Sequence, residues 1–316
     1  MKTRVASVLS GLLLAAAHRA EADSPDALAR RIQEALRTGN ADALVANAPG
    51  LDRALAVQQF ALYDLLNDCG PGIVCAAAAR PLDPAWEAQQ REVMAPAGVE
   101  LSARPAGLIE IVGRAAKETD ATKISMKASL PYASVGGRLG IVSARLTPAR
   151  LAELSALTPQ AAAQATLAAG VFDSMTGETD PQWVKKAKAL PADGGEPGRA
   201  FLAGVQASAA AVKARDVAAA AAARGDWGKQ VLGPTDFAGR TRTPAEQQNR
   251  LRAQALRFVV EARVLGGYEL GDLAVLTVEG KNGAGARVLG ALKMRRENGA
   301  WQEVDSTSLV EVPSGR

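Results

Sequence analysis

The residue types that most often carry catalysis are scarce in this chain, so each can be weighed separately. His18 is the only histidine. It sits inside an N-terminal stretch that reads as a secretory leader: Met1-Lys2-Thr3-Arg4 is cationic, Val5 to Ala17 is apolar, and Ala20-Glu21-Ala22 supplies a cleavage site before Asp23, with a cut after Ala20 as the alternative. The apolar run is shorter than the roughly 20 residues that span a bilayer, which argues against an uncleaved anchor. With residues 1–22 removed, the working chain has no imidazole. That excludes Ser-His-Asp and Cys-His nucleophiles, a histidine general base, and zinc sites built on histidine.

The thiols are Cys69 and Cys75. They enclose Gly70-Pro71-Gly72-Ile73-Val74, and the Pro-Gly turn brings the two ends together, so in an oxidising compartment the pair is expected to form a disulfide. Five intervening residues do not match the C-x-x-C spacing of redox-active pairs. The remaining chemistry would need carboxylates, tyrosine or a Ser/Lys pair. Ser125 and Lys127 share a strand face but read as the wet side of a sheet. Tyr268 with Asp272 is the best carboxylate and phenol pair, a weak catalytic candidate that a turn aspartate beside a packing tyrosine explains equally well. There is no Ser-x-x-Lys and no Gly-x-Ser-x-Gly. Gly225-Asp226-Trp227-Gly228-Lys229 has Ala223 where a phosphate loop needs its first glycine. Asp173-Ser174-Met175-Thr176-Gly177-Glu178-Thr179-Asp180 is rich in oxygen, but its spacing departs from a calcium loop. No metal site and no cofactor are expected. Trp227, Phe258 and Trp301 are the candidates for an apolar ligand pocket, a core role for the same rings being the alternative.

The elements that must position these residues follow from composition and period. The chain has 316 residues, 48% apolar and 22% charged, which suits two domains. It holds 67 alanines against 5 Phe, 4 Trp and 3 Tyr, so much helix and a lightly packed interior are expected. Cleavage of the leader removes Lys2, Arg4, Arg19 and Glu21 and halves the formal net charge of +4. The basic clusters at Lys185-Lys186-Lys188 and Lys293-Arg295-Arg296 form no long stripe, and no nucleic-acid partner is expected.

Ser24-Pro25 starts an amphipathic helix through Leu28, Ile32 and Leu36 to Gly39, and a second helix is expected over 51–67. Between Arg80 and Pro105 prolines recur, which predicts mostly loop with a helix through Trp86 to Val93. Lys123 to Leu130 alternates polar and apolar residues and predicts a half-buried strand, flanked by Leu108 to Ala115 and by Arg138 to Leu146. Thr147-Pro148, Thr158-Pro159 and Asp180-Pro181 are helix starts in a helical stretch that runs to 224. Thr243-Pro244-Ala245-Glu246 is a capping box. Strands follow at Val259–Tyr268, Leu273–Glu279, Ala286–Arg296 and Ala300–Ser308, the last pair joined by the hairpin signal Asn298-Gly299.

Small signatures recur in order along the two halves. Arg37-Thr38-Gly39-Asn40 answers to Ala223-Arg224-Gly225-Asp226, Ile111-Val112-Gly113 to Val264-Leu265-Gly266, Asp120 to Asp272, and Arg138-Leu139-Gly140 to Arg287-Val288-Leu289-Gly290. Duplication is one reading of this recurrence and chance the other. The helix ending in Ala223-Arg224-Gly225-Asp226-Trp227, the run Gly271 to Gly280 and the run Gly290 to Trp301 resemble the NTF2-like superfamily over about residues 200–310. The resemblance implies helices cupped on a strongly bent antiparallel sheet around a cone-shaped pocket. Members use that pocket for isomerase, cyclase or hydratase chemistry through Asp/His or Tyr/Asp groups, or only for binding, and the absent histidine weighs against the first.

The fold expected is therefore α+β: two helix-plus-curved-sheet modules, 23–146 with the cysteine loop and 200–316, joined by a helical connector at 147–199. The function expected is that of an exported, non-enzymatic binding or accessory protein of the cell envelope, periplasmic or secreted. It would bind a small apolar ligand or an envelope protein and have no stable membrane insertion once the leader is cut. A pocketed enzyme using carboxylate and tyrosine is one alternative, an envelope assembly factor another.

Overall fold

The computed structural model describes residues 24–51, 56–70, 72–120, 122–168, 183–235, 241–305 and 309–313. The stretch expected to be a leader and the oxygen-rich stretch 173–180 lie outside them. The chain is α+β and divides into two compact units, one of Met1–Asp52 with Ala61–Thr147, the other of Arg53–Phe60 with Pro148–Arg316.

The N-terminal unit begins with α1 (Pro25–Thr38). Ser24 Oγ accepts the Ala27 N–H, proline occupies the first turn, and Gly39 ends the helix in the left-handed region. Its apolar side buries Leu28, Ile32 and Leu36. Asn40 then caps the short α2 (Ala41–Ala46), and α3 (Ala56–Asp68) buries Leu62, Tyr63, Leu65 and Leu66 before the cysteine loop. The sheet has the order β1 (Ile73–Pro81), β3 (Gly107–Ala115), β4 (Met126–Val135), β5 (Arg138–Ile141), antiparallel throughout. Ala77 and Ala79 stand opposite Ile111 and Ile109, which are fully buried, and α1 packs along β1. On the other face Val74, Ala76 and Ala78 are exposed. Between β1 and β3 lie α4 (Pro84–Met94) and β2 (Val99–Leu101), the latter paired with β6 (Ala144–Leu146).

Three expectations for this unit are corrected. Residues 80–105 are not mostly loop: β1 runs to Pro81, and α4 and β2 follow. The strand expected from Lys123 begins at Met126, because Asp120 accepts the Thr122 N–H and hydroxyl and folds the preceding residues into a turn, which leaves Ile124 half exposed. The single strand expected over 138–146 is two, broken at Val142-Ser143, where β5 leaves β4 and β6 joins β2.

The C-terminal unit opens with α5 (Pro148–Ser155), α6 (Pro159–Ala168), α7 (Trp183–Lys186) and β7 (Lys188–Leu190), then α8 (Gly195–Ala214), α9 (Val217–Ala223), α10 (Gly225–Leu232) and α11 (Pro244–Arg257). The capping box at Thr243 and Glu246 is present. Its sheet has the order β11 (Ala300–Asp305), β10 (Arg287–Glu297), β9 (Leu273–Asn282), β8 (Val259–Leu270), β7, and β12 (Val310–Val312) pairs with β10 beyond the end of β11. Register shifts in β8 and between Lys293 and Met294 bend it. The bend at Gly266-Gly267 needs glycine, since a Cβ on Gly267 would stand 2.2 Å from the Val275 carbonyl oxygen. Asn298 and Gly299, both at positive φ, make the expected hairpin turn. One face of the sheet, with Val264, Leu276, Leu292, Met294 and Trp301, receives Phe201 and Val205 of α8. The other presents Val275 and Ala291 to Ala163 and Leu167 of α6.

The recurring signatures fall at corresponding places in two meanders, β3-β4-β5 and β8-β9-β10, with Asp120 and Asp272 each in the first turn. The helix-end signature is matched elsewhere than expected. Gly39-Asn40 finds its geometric counterpart in Arg215-Asp216, where Arg215 has φ 57° and Asp216 Oδ1 accepts the Ala219 N–H at 2.9 Å. At Arg224-Gly225 no side chain caps the helix.

Candidate functional site

The residues singled out from sequence divide among several environments. Trp227 stands in α10, and its side chain lies outside the described residues. Phe258 is 1% exposed and packs with Ala211, Ala221, Leu232 and Leu251, whereas Trp301 belongs to the separate cluster beneath α8. The structure does not bring Phe258 and Trp301 round one hollow. Each instead carries a guanidinium: Arg224 lies 4.8 Å from the Phe258 centroid and Arg296 4.6 Å from that of Trp301. Arg224, fully buried, also pairs with Glu303 at 3.1 Å. Tyr268 is half-buried in β8, opposite Val275 and Ala189. Asp272 is exposed in the next turn, where its carbonyl accepts the Arg296 N–H at 2.7 Å. No hydrogen bond joins Tyr268 to Asp272. Cys69 and Cys75 are bonded, tying the end of α3 to β1. Ser125 falls outside β4, and the Lys127 ammonium is 2.7 Å from Glu110.

A groove of about 480 Å³ lies in the N-terminal unit between α4 and the segment 98–105. Asp83 caps α4 and Pro84 opens it, so the helix turns Glu87, Gln90, Arg91 and Met94 to one side at i, i+3, i+4 and i+7. Tight turns over Ala95 to Gly98 reverse the chain into β2, which presents Val99 and Leu101. Pairing with β6 and the Thr147 N–H bond to the Gly98 carbonyl, 2.9 Å, anchor that wall. Ala103, Arg104 and Pro105 complete the lining. No side chain of α4 is fully buried; Trp86, Glu87, Gln90 and Met94 are half-buried, and Met94, Val99 and Leu101 keep part of their apolar surface open to the groove, while Pro105 at its end is buried. A groove of this size with a few polar groups at its rim is the usual form of a small-molecule site.

Charge at the rim is mostly cancelled. Glu87 pairs with Arg91 at 3.2 Å, and Glu100 with Arg145 at 2.8 Å. Arg104 makes no hydrogen bond or ion pair with a described residue. The groove thus joins an apolar bed to one uncompensated guanidinium, a combination suited to an amphipathic molecule with an anionic end. It holds no paired carboxylates and no nucleophile with a base. Among the described residues no group of three His, Cys, Asp or Glu is placed to hold a metal ion, and no helix is long and apolar enough to cross a membrane.

Elsewhere, two of the lowered carboxylates belong to ion pairs on the sheets, Glu34 pairs with Arg37 on α1, and Asp120 is held by Thr122 in a turn. Lys127 hydrogen-bonds Glu110 and holds its carboxyl below the ordinary range, with Arg80 assisting. Arg263, and after it Arg287, does the same for Glu279. Sequence reasoning missed Met94, Leu101, Arg104 and Pro105. The one signal that pointed to them was the helix expected near 86–93, whose polar face ends in an apolar Met94. Comparison with protein families, with characterised proteins and with solved structures finds no match to this chain.

Proposed function

We propose that the protein is an exported, non-enzymatic binding protein of the cell envelope that holds a small amphipathic ligand in the groove between α4 and β2. The observation that carries this reading is the half-open apolar bed of Met94, Val99 and Leu101 beside the exposed Arg104, under a helix none of whose side chains is fully buried. The cysteine pair is bonded, as suits an oxidising compartment, and that supports export together with the leader pattern. Helices laid on a bent antiparallel sheet in the C-terminal unit, and the matching meander in the other, support a distant NTF2-like origin for both. In that reading the C-terminal cone is filled by its own side chains and serves as a scaffold.

The test is a thermal-shift and calorimetric titration with decanoate and, in parallel, with decanol. Decanoate is expected to bind and raise the melting temperature, and decanol to bind more weakly. Arg104→Gln should weaken decanoate about tenfold, the value of one charge-assisted hydrogen bond, and leave decanol unchanged. Absence of saturable binding by either probe, or binding indifferent to both Arg104→Gln and Leu101→Asp, contradicts the proposal.

A further inference from the structure

A second concavity in the N-terminal unit shares no lining residue with the first. It measures about 630 Å³ and lies among α1, α2 and the start of β5. Arg30, Glu34 and Thr38 fall on one face of α1 at i, i+4 and i+8, with Arg31 and Ala35 beside them. Ala43, Ala46 and Asn47 of the α2 segment face the same space, and Arg138 enters from the β4–β5 hairpin. That hairpin turns on Gly136 and Gly137, both at positive φ, so Arg138 is set on a tight, well-defined corner.

The polar groups here are arranged for an anion. Asn47 is 5% exposed and fully committed: its Oδ1 accepts Arg31 Nε–H at 3.0 Å, its Nδ2–H donates to the Ala43 carbonyl at 2.8 Å, and its own carbonyl accepts the Ile141 N–H at 2.7 Å. A buried amide thus fixes the plane of the Arg31 guanidinium. The single lining carboxylate, Glu34, is already taken by Arg37, with contacts of 2.5 and 2.7 Å, and Arg37 lies outside the lining. Arg30 and Arg138 make no hydrogen bond or ion pair with a described residue. Two uncompensated guanidiniums from separate elements and a third held by a buried amide therefore line one open, small-residue concavity. Its lining lacks large apolar side chains, unlike the bed beside α4.

We propose that this concavity binds a hydrophilic oligoanion, a small molecule carrying two or more carboxylate or phosphate groups, gripped by Arg30 and Arg138 with Arg31 between α1 and α2. Guanidinium forks match the paired oxygens of either group, so the two sources share one chemistry. The site is independent of the α4 groove, and its failure would leave that reading untouched.

The test is calorimetric titration of the protein at low ionic strength, where exposed charges are least screened, with pyrophosphate in one arm and citrate in the other. Saturable binding in at least one arm is expected, and the arm that binds identifies the group. Arg30→Gln and Arg138→Gln should each weaken it about tenfold, as loss of one charge-assisted bond does. Both side chains are exposed and unpaired, so the variants should keep the parent melting temperature. Arg104→Gln should change nothing. No binding in either arm overturns the proposal, as does equal weakening by Arg104→Gln, which would show general charge attraction. Binding unchanged in the Arg30→Gln/Arg138→Gln double variant also overturns it.

Discussion

In the C-terminal unit β10 is enclosed on both faces, Leu292 and Met294 beneath α8 and Ala291 against α6, and even Lys293 is only 2% exposed. Among the described residues the N-terminal sheet is closed on the side of Ile109 and Ile111 and open on the other, where Val74 is 64% exposed, and its α4 has no fully buried side chain. Both meanders are antiparallel and carry the same signatures at the same turns. The difference comes from what is laid on the sheets. Helical layers cover both faces of the C-terminal sheet, while among the described residues the N-terminal sheet carries a layer on one face and hollows lie at the margins of its unit. A sheet enclosed on both sides gives stability and incompletely covered surface leaves room for a ligand, so packing is the physical basis of the proposed division of labour between the units.

The comparison breaks most sharply at the buried charges. Glu303→Ala removes the carboxylate paired with the Arg224 guanidinium, 0% exposed, and should cost about 3–5 kcal/mol in urea denaturation. The double variant Arg224→Met/Glu303→Leu should recover most of this. A surface change in the other unit, Val74→Ala, should stay within about 0.5 kcal/mol. Equal costs at the two places would dissolve the distinction between enclosed and open sheets.

A smaller effect sharpens the N-terminal side. The Cys69–Cys75 bond closes a short loop at the start of β1, an edge strand whose outer face is exposed among the described residues. Replacing both cysteines by alanine should cost about 2 kcal/mol, the loop-entropy value for so small a ring. Proteolysis or hydrogen exchange should then show β1 opening before β9 and β10.

The smallest expected effect is in acid. Glu110 and Glu279 both titrate below their ordinary value of 4.5, pulled down by Lys127 and Arg263 respectively. Their contribution is therefore complete above pH 4.5 and is lost as pH falls through the lowered folded value. Both pairs touch solvent, so each contributes less than about 1 kcal/mol. Glu110→Gln and Glu279→Gln should flatten the acid limb of the stability curve by similar small amounts.

Much of the C-terminal sheet was legible in the chain because its signals are local. Asn298-Gly299 demands a particular turn, the capping box starts α11, and the short apolar run Leu273 to Val278 gives a strand. β1 was not legible. Its centre is Ala76-Ala77-Ala78-Ala79, a run that favours helix by propensity and becomes a strand through its pairing with β3. The pocket expected around Phe258 and Trp301 rested on aromatic scarcity, and scarcity does not say whether a ring lines a hollow or fills one. Here each ring packs in its own cluster beneath an arginine. Neither N-terminal hollow was visible, because each joins helix faces to residues far along the chain, Glu87 to Thr147 and Arg31 to Arg138, and such meetings are set by tertiary packing.

The most direct test of the account is hydrogen exchange read by mass spectrometry, with and without decanoate at saturation. Ligand-induced protection is expected in peptides covering 84–105, with peptides covering 259–305 unchanged. Protection confined to the C-terminal sheet would contradict the assignment of binding to one unit and scaffolding to the other.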